Sequence, residues 1–246
     1  MAATNLSSYM AVKRRLLDMF RSETFPGNKL PPEDQLAKRL GISLVTLREA
    51  LMMLTLEGYL TKRHGVGNFI HPSALDPTNR VDQGFSFADT FRRNGRTPGM
   101  KMLFLGIEPA SPALAERLQV QPESLLQRYE TIYTADDHPG VFTISRLSLD
   151  LVKRPFRPEE QNWYIHECIW DHCGKKLAHS LNDYQAVAAD EKVAALFELP
   201  KGTPLLYCEQ LFYDVQDVPV LLNVHYFHPQ HYGMRVLQNW NIGAQS

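Results

Sequence analysis

Two short stretches of this chain carry side chains whose types and spacing suit nucleic-acid chemistry. In SLVTLREALMML, starting at Ser43, Thr46 and Arg48 fall in the first turns of a helical pattern, off its apolar stripe. There a hydroxyl can donate to a phosphate, and a guanidinium can reach a guanine edge or a phosphate. Further on, His64, Gly65 and Val66 interrupt two short extended runs, and a glycine at such a tip lets backbone approach phosphates closely. A third cluster, His166, Cys168, His172 and Cys173, has metal-ligand residue types. On a helix Cys168 and His172 share a face, while His166 and Cys173 share a different one, a poor tetrahedral set. His225, His228 and His231 alternate or sit beyond a proline. Ordinary helix and strand residues are the simpler reading, with a metal-responsive protein as the alternative. Ser145 has no assignable His and Asp partners, and the chain has no recognisable nucleophile motif, phosphate loop or metal triad. No catalytic residue, metal site or cofactor is therefore expected.

The elements that must position these residues follow from periodicity. Leu36, Ala37 and Leu40 recur at helical spacing, and Gly41 ends that helix. Ile42 plugs the turn. Ser43 is a good N-cap for the next helix, in which Leu47, Ala50, Leu51 and Leu54 form the buried stripe. Gly58 stops it. Tyr59–Arg63 and Gly67–His71 then pair as a hairpin. Two helices, a tight turn and a hairpin make a winged helix-turn-helix, whose second helix enters a DNA groove. A helical hairpin that only packs or dimerises is the alternative, and the wing directly after the second helix argues against it.

The 246 residues suffice for two cores. Net charge is −1, yet residues 1–72 hold ten Lys and Arg against six Asp and Glu, and residues 73–246 hold sixteen against twenty-one. Positive charge thus sits with the presumed DNA reader. No apolar run approaches the roughly twenty residues that span a bilayer, the N-terminus lacks a secretory signal, and three cysteines form no CxxC. A cytoplasmic protein with reduced thiols and no membrane partner is expected. Residues 73–84, rich in Pro, Ser, Asp and Asn, read as a linker and as the covalent path between the domains.

Beyond it, helices are expected at Phe85–Asn94, Ser111–Leu118, Trp163–His172 and Asp190–Phe197. Strands are expected at Met100–Glu108, Leu125–Thr134, Val141–Leu149, Lys176–Ala188, Pro204–Tyr213 and Val218–His228. Strand pairs broken by short helices indicate an α+β fold with an antiparallel sheet.

Residues 9–71 resemble the DNA-binding domain of the GntR family of bacterial transcription regulators. The likeness runs through Tyr9, Leu30-Pro31, Glu33, Leu36-Ala37, Gly41-Ile42-Ser43, Thr46 to Leu51, Leu54, Glu57-Gly58, Arg63, Gly65, Gly67 and Phe69. It implies DNA contacts at Ser43, Thr46, Arg48, His64 and Gly65. Asp34 and Leu44 stand where the family usually has Arg, so the usual operator is not expected. Residues 85–237 resemble the UTRA effector-binding module of the HutC branch, through Phe91, Gly95, Pro98, Ala115, Leu118, Leu126, Arg128, Pro139, Ala186 to Leu199, Gly202, Pro219 and Tyr226. That resemblance implies a chorismate-lyase-like sheet in residues 85–246, a small-molecule effector, and a homodimer on double-stranded operator DNA, with repression the expected mode. It also implies an effector site at Arg128, Tyr164, His166, Asn223 and Tyr226. To these the strand pattern adds Thr143 and Ser145, which face one side at period two, while Arg146 could substitute for the second Arg that the family commonly has two places after Arg128. Glu130 occupies the place of a second family Arg, which argues against a doubly charged phosphate ligand. An enzyme of this fold with an accessory DNA-binding domain is the competing class.

Overall fold

The computed structural model describes residues 2–75, 86–160 and 163–240, with side chains from Tyr9 onward. The presumed linker lies almost wholly outside the described residues. The chain divides into two compact units. One comprises residues 1–83 together with 235–246, the other residues 84–234.

In the first unit, α1 (Ala2–Ser22), α2 (Glu33–Leu40) and α3 (Leu44–Leu56) precede the hairpin β1 (Leu60–Arg63) and β2 (Gly67–Ile70). A short α4 (Pro72–Leu75) follows. Val12, Leu16, Met19 and Phe20 of α1 close one core with Leu36, Leu47, Leu51, Leu54 and Leu60. Gly41 ends α2 in the left-handed region at φ 67°, where a side chain would be strained. Ser43 Oγ accepts the Thr46 N–H at 3.1 Å and so caps α3 as its position suggests. Pro32 provides no such cap for α2, whose first residues Glu33 and Asp34 face the positive end of the helix. The hairpin reaches two residues less than the sequence suggests, because Tyr59 and His71 are joined by one backbone hydrogen bond of 2.9 Å without extending the ladder.

The last described residues, from Arg235, belong with this first unit and not with the domain that precedes them in sequence. Leu237 packs on the same core. Asn239 Nδ2 donates to the carbonyls of Thr55 at 2.7 Å and Leu56 at 3.1 Å. The chain therefore crosses between the units twice, and the expectation that residues 73–84 form the sole covalent path is corrected. Nothing in the composition of the tail marks where it docks, since docking is a property of tertiary packing.

The second unit is a six-stranded, wholly antiparallel sheet in the order β3-β4-β5-β8-β7-β6. Its strands are β3 (Pro98–Pro109), β4 (Leu125–Ala135), β5 (His138–Ser148), β6 (Leu177–Ala188), β7 (Pro204–Asp214) and β8 (Pro219–Phe227). Four helices accompany them: α5 (Phe87–Arg93), α6 (Pro112–Leu118), α7 (Ile165–Cys173) and α8 (Glu191–Leu196). Each lies where periodicity places it, and the α+β class holds.

Both sheet faces are covered. Ala115 and Leu118 of α6 pack on Leu126, Leu211 and Leu222, and Val193 and Ala194 of α8 pack on Ile132, Phe142 and Leu205. On the opposite face Cys168, Ile169 and Cys173 of α7 pack on Tyr129, Leu147 and Phe212. Phe87 and Phe91 of α5 meet Tyr133, Val141 and Phe227 there.

Asp214 ties the β7–β8 turn. Its Oδ1 accepts the N–H groups of Gln216 and Val218, and its Oδ2 accepts Lys175 Nζ at 2.8 Å. Lys175, opposed by burial and aided by the two backbone donors, holds this carboxyl below its ordinary range. A carboxylate with a lowered folded pKa stabilises the fold above its unfolded pKa, and that contribution is lost as pH falls through the folded value. Asp214→Ala should cost about 2–3 kcal/mol in denaturant unfolding at neutral pH. The deficit relative to the parent should shrink as the pH is lowered into the acid range.

Candidate DNA interface and effector site

On the first unit, α2 and the hairpin frame the exposed side of α3. Arg48 lies there with its side chain 60% exposed and its Nε donating to Glu33 Oε2 at 2.7 Å. Glu33 Oε1 also receives Asn68 Nδ2 at 3.3 Å and Lys62 Nζ at 3.4 Å. One carboxylate thus braces a residue of α3 against both strands of the wing. Arg48 is the main cause that keeps this carboxyl below its usual range, so the brace is charged at neutral pH. Only the Nε of Arg48 is used by Glu33, which leaves the fork of Nη groups for an incoming acceptor. Ser43 Oγ and Thr46 Oγ1 lie 2.8 Å apart at the start of α3. His64 and Gly65 are exposed at the wing tip, where Gly65 has φ 69°. Arg63 is held over the Phe69 ring at 4.2 Å.

Sequence reasoning missed Glu33 as the organiser, since only tertiary contact joins it to Arg48 and Asn68. Val45, off the apolar stripe as its position suggests, is 66% exposed one helical turn before Arg48. Leu44, in contrast, is partly buried against the core.

Strand alternation divides the six anticipated effector residues that lie on strands between two faces. Arg128 pairs across the ladder with Arg146. Two residues along, Glu130 faces Ile144, and then Ile132 faces Phe142, which pairs with Tyr226. These side chains share the face covered by α6 and α8. Thr143, Ser145 and Asn223 share the other face with Tyr129, Thr131 and His225, under α5 and α7. Tyr164 and His166 lie at the start of α7, on that second side.

The first face is ionic. Arg128 Nη1 donates to Glu108 Oε2 at 3.0 Å, and Arg128 Nη2 donates to Glu130. Arg146 Nε donates to Glu108 Oε1 at 2.5 Å, and Lys192 Nζ reaches both Glu130 oxygens at 2.7 and 2.5 Å. The Arg128 guanidinium also lies over Phe104 at 5.1 Å. Glu130 is 2% exposed. Burial works against the Glu108 carboxylate, yet Arg146 and Arg128 overcome it and hold its pKa down. Arg128 thus stands between two carboxylates, and Glu130, which occupies the place of a second family Arg, is one of them.

The second face is neutral. His225 is buried, which drives its imidazole down to about 3. It accepts from Thr143 Oγ1 at 2.9 Å, and its Nε2 donates to Gln210 Oε1 at 3.1 Å. Gln210 Nε2 in turn donates to Ser180 Oγ at 3.1 Å. Along the neighbouring row, Tyr129, Ser145 and Asn223 lie side by side on adjacent strands. Ser145 lies near enough to Tyr129 to bias its ionisation, but among the described residues Tyr129 Oη has no hydrogen-bond partner of normal geometry, and neither has Asn223 Oδ1. Both residues are more than nine-tenths buried. An unpaired buried polar atom costs about 1–3 kcal/mol, so two in one row, on β4 and β8 with Ser145 between them, suit a polar occupant. Aromatic rings border it: Phe87 packs edge-on to Tyr133 and His225, and Trp163 lies beside Tyr133. At the start of α7, Tyr164 Oη donates to Asp89 Oδ1 at 3.1 Å, and Arg92 pairs with the same oxygen. His166 is exposed beside Glu167.

Among the described residues no group of three or more His, Cys, Asp or Glu is placed to hold a metal ion. The His166–Cys173 cluster is dispersed by its helix: Cys168 and Cys173 are core residues, and His172 Nδ1 is bonded to the Arg154 carbonyl. Burial pushes the thiols of Cys168, Cys173 and Cys208 up to about 12, 11 and 11, which makes them poor nucleophiles. No described helix is long and apolar enough to cross a membrane.

Comparison with known proteins agrees with both halves. The family model described as bacterial regulatory proteins, gntR family, matches residues 8–70. The UTRA domain model matches residues 93–233. The chain is 25% identical over 221 residues to the uncharacterized HTH-type transcriptional regulator YurK of Bacillus subtilis, covering 89% of this chain and 90% of that one. It is 24% identical over 204 residues to the histidine utilization repressor of Pseudomonas aeruginosa, covering 80% and 78%. Its fold is similar to the crystal structure of the possible transcriptional regulator YydK of Bacillus subtilis, with a TM-score of 0.74 at 18% identity over 94% and 99% of the chains. A braced recognition helix with its wing, joined to a sheet with a polar site under its helices, is thus the form of a ligand-responsive transcription regulator, and the chain belongs to the GntR family with a UTRA effector domain.

Proposed function

We propose that this regulator is a dimeric repressor that releases operator DNA when an uncharged, hydroxyl-bearing small molecule fills the neutral face of its sheet. The observation that carries the effector class is the pair of unpartnered buried atoms, Tyr129 Oη and Asn223 Oδ1. A ligand hydroxyl can donate to the Asn223 oxygen and accept from the Tyr129 hydroxyl. Thr131, Thr143 and Ser145 offer further hydroxyls on the same face, and the rings of Phe87, Tyr133 and Trp163 suit the apolar side of a sugar or polyol. A phosphate would need cations, and the Arg128 and Arg146 groups lie on the opposite face and are already paired.

For the DNA side, Ser43, Thr46 and the His64-Gly65 tip would meet phosphates, and the Arg48 fork would reach a base edge. Val45 adds an apolar contact suited to a thymine methyl. With Leu44 turned to the core and Asp34 exposed, an operator poorer in guanine contacts than the family norm is expected. We assign the protein no catalysis, and a bound metabolite should be recovered unchanged.

A thermal-shift screen should stabilise the protein with neutral sugars or polyols and not with their phosphate esters. Stabilisation by phosphorylated compounds alone would sink the ligand class. Asn223→Ala should abolish that shift with little change in the melting temperature of the unliganded protein. Arg128→Ala should instead destabilise the effector unit by about 3–5 kcal/mol, since it leaves a buried Glu130 with less compensation. Adding Glu130→Gln should recover part of that loss, and a wholly intact fold in the single variant would return Arg128 to the effector site. Arg48→Ala should weaken operator binding, measured by fluorescence anisotropy, by about 1–3 kcal/mol and leave the ligand shift intact.

A further inference from the structure

The hairpin of the first unit has two faces, and the core uses only one. Leu60, Lys62, Asn68 and Ile70 turn inward: Leu60, Asn68 and Ile70 are buried, and Lys62 and Asn68 reach Glu33. By the same alternation Thr61, Arg63, Gly67 and Phe69 lie on the outer face, where Thr61 pairs with Phe69 and Arg63 with Gly67. A third piece of extended chain joins this face. Lys29 forms an antiparallel bridge to Phe69, and the Leu30 N–H donates to the Asn68 carbonyl at 2.9 Å. Residues directly opposite each other across an antiparallel pair share a face, so Lys29 stands beside Phe69 on the outer side.

Both cations of this face are held by contacts that leave their charge free. The Arg63 guanidinium lies 4.2 Å over the centre of the Phe69 ring. Stacking occupies the flat side of that group and leaves its N–H fork at the edge. The stem of Lys29 runs across Gly67: a Cβ built on that glycine would lie 3.2 Å from Lys29 Cε, and Gly67 has φ 131°. Glycine thus permits a backbone that other residues rarely adopt and leaves a furrow for the lysine stem. Lys29 and Arg63 are exposed, and among the described residues neither has an ion-pair partner. Neighbouring carboxylates are taken elsewhere, Glu33 by Arg48 and Lys62, Glu23 by Arg39 and Glu57 by Lys13. Arg63 immediately precedes His64 of the wing tip, and the Lys29 stem crosses the chain two residues after Gly65.

We infer that Lys29 and Arg63 are a second set of phosphate contacts, carried on the outer face of the wing, which extends the DNA footprint beyond the tip without reading sequence. The occupant is the sugar-phosphate backbone of a duplex, because two free cations flank the tip that approaches it and no acceptor of the unit competes for them. Their held stems reduce the rotamer entropy lost on contact. Arg48 acts differently, from the recognition helix and with its Nε engaged by Glu33. The outer row therefore sets affinity and salt dependence, and the helix sets the choice of operator. The inference rests on DNA binding by this unit and is independent of the effector site.

The test needs no knowledge of the operator. The full-length protein is titrated by fluorescence anisotropy against a mixed-sequence duplex of about 30 base pairs, at KCl from about 50 to about 200 mM. Lys29→Gln and Arg63→Gln should each weaken binding and flatten the plot of log K against log salt by about 0.9 for each wing on the duplex. The deficit of each variant should therefore shrink about 3.5-fold per wing over that range. Lys29→Arg keeps a cation in the same furrow and should restore the parent slope. Arg21→Gln removes a charge from α1, where Arg21 already pairs with Asp18, and should leave the slope unchanged. An unchanged slope in either Gln variant of the wing would overturn that residue's place in the row. An equal loss of slope in Arg21→Gln would reduce the effect to net charge and overturn the row as a whole. Failure of the parent itself to bind the duplex would instead overturn the DNA reading on which the row rests.

Discussion

The period of two along a β-strand is the constraint on which the effector unit depends. A sheet covered on both faces has two interiors, and every strand must supply both with compatible chemistry. Here β4 alternates Arg128, Glu130 and Ile132 with Tyr129, Thr131 and Tyr133. Its partners follow in register, so charge meets charge on one side and hydroxyl meets hydroxyl on the other. On the ionic side Glu108 and Glu130 are paired with Arg128, Arg146 and Lys192, and of the cations Arg128 keeps one buried donor, Nε, without a partner among the described residues. Such a network is costly to break and gains little from an added anion. The neutral side keeps polar atoms without partners, and a binding site needs that kind of unmet demand.

The DNA-binding unit solves a different problem with one carboxylate. Its recognition helix and wing are separate elements, and both must meet the same duplex in register. Glu33 lies at the start of α2 and takes donors from α3, β1 and β2. It fixes the base of the exposed Arg48 side chain, which under the DNA contact proposed for Arg48 would reduce the rotamer entropy lost on binding. The family-typical acid at this position therefore orients the reader, while the helix-dipole role falls to both Glu33 and Asp34.

Regulation requires that occupancy of one unit change the energy of the other. The linker is one path by covalent necessity. The tail is a second covalent crossing: Tyr232 packs in the ring cluster of the second unit, and Asn239 bonds the end of α3 in the first.

Much of this was legible in the sequence. Local rules sufficed for the helix-turn-helix: Gly41 and Ser43 announce the turn and the cap, and the Leu47–Leu54 stripe fixes which side of α3 is buried. The elements of the sheet, the basic bias of residues 1–72 and the family resemblance were equally local or additive. Strand alternation even placed Thr143 and Ser145 on one side together. What the sequence could not settle was which partners those sides would meet. Arg128 and Asn223 both read as polar strand residues, but only the register of β3, β4, β5 and β8 separates a paired ion network from an unsatisfied neutral row. The pairing of Glu33 with Arg48 and the return of Asn239 to α3 join residues distant in the chain. Contacts of that kind depend on how the cores close, and no pattern confined to a window of sequence contains them.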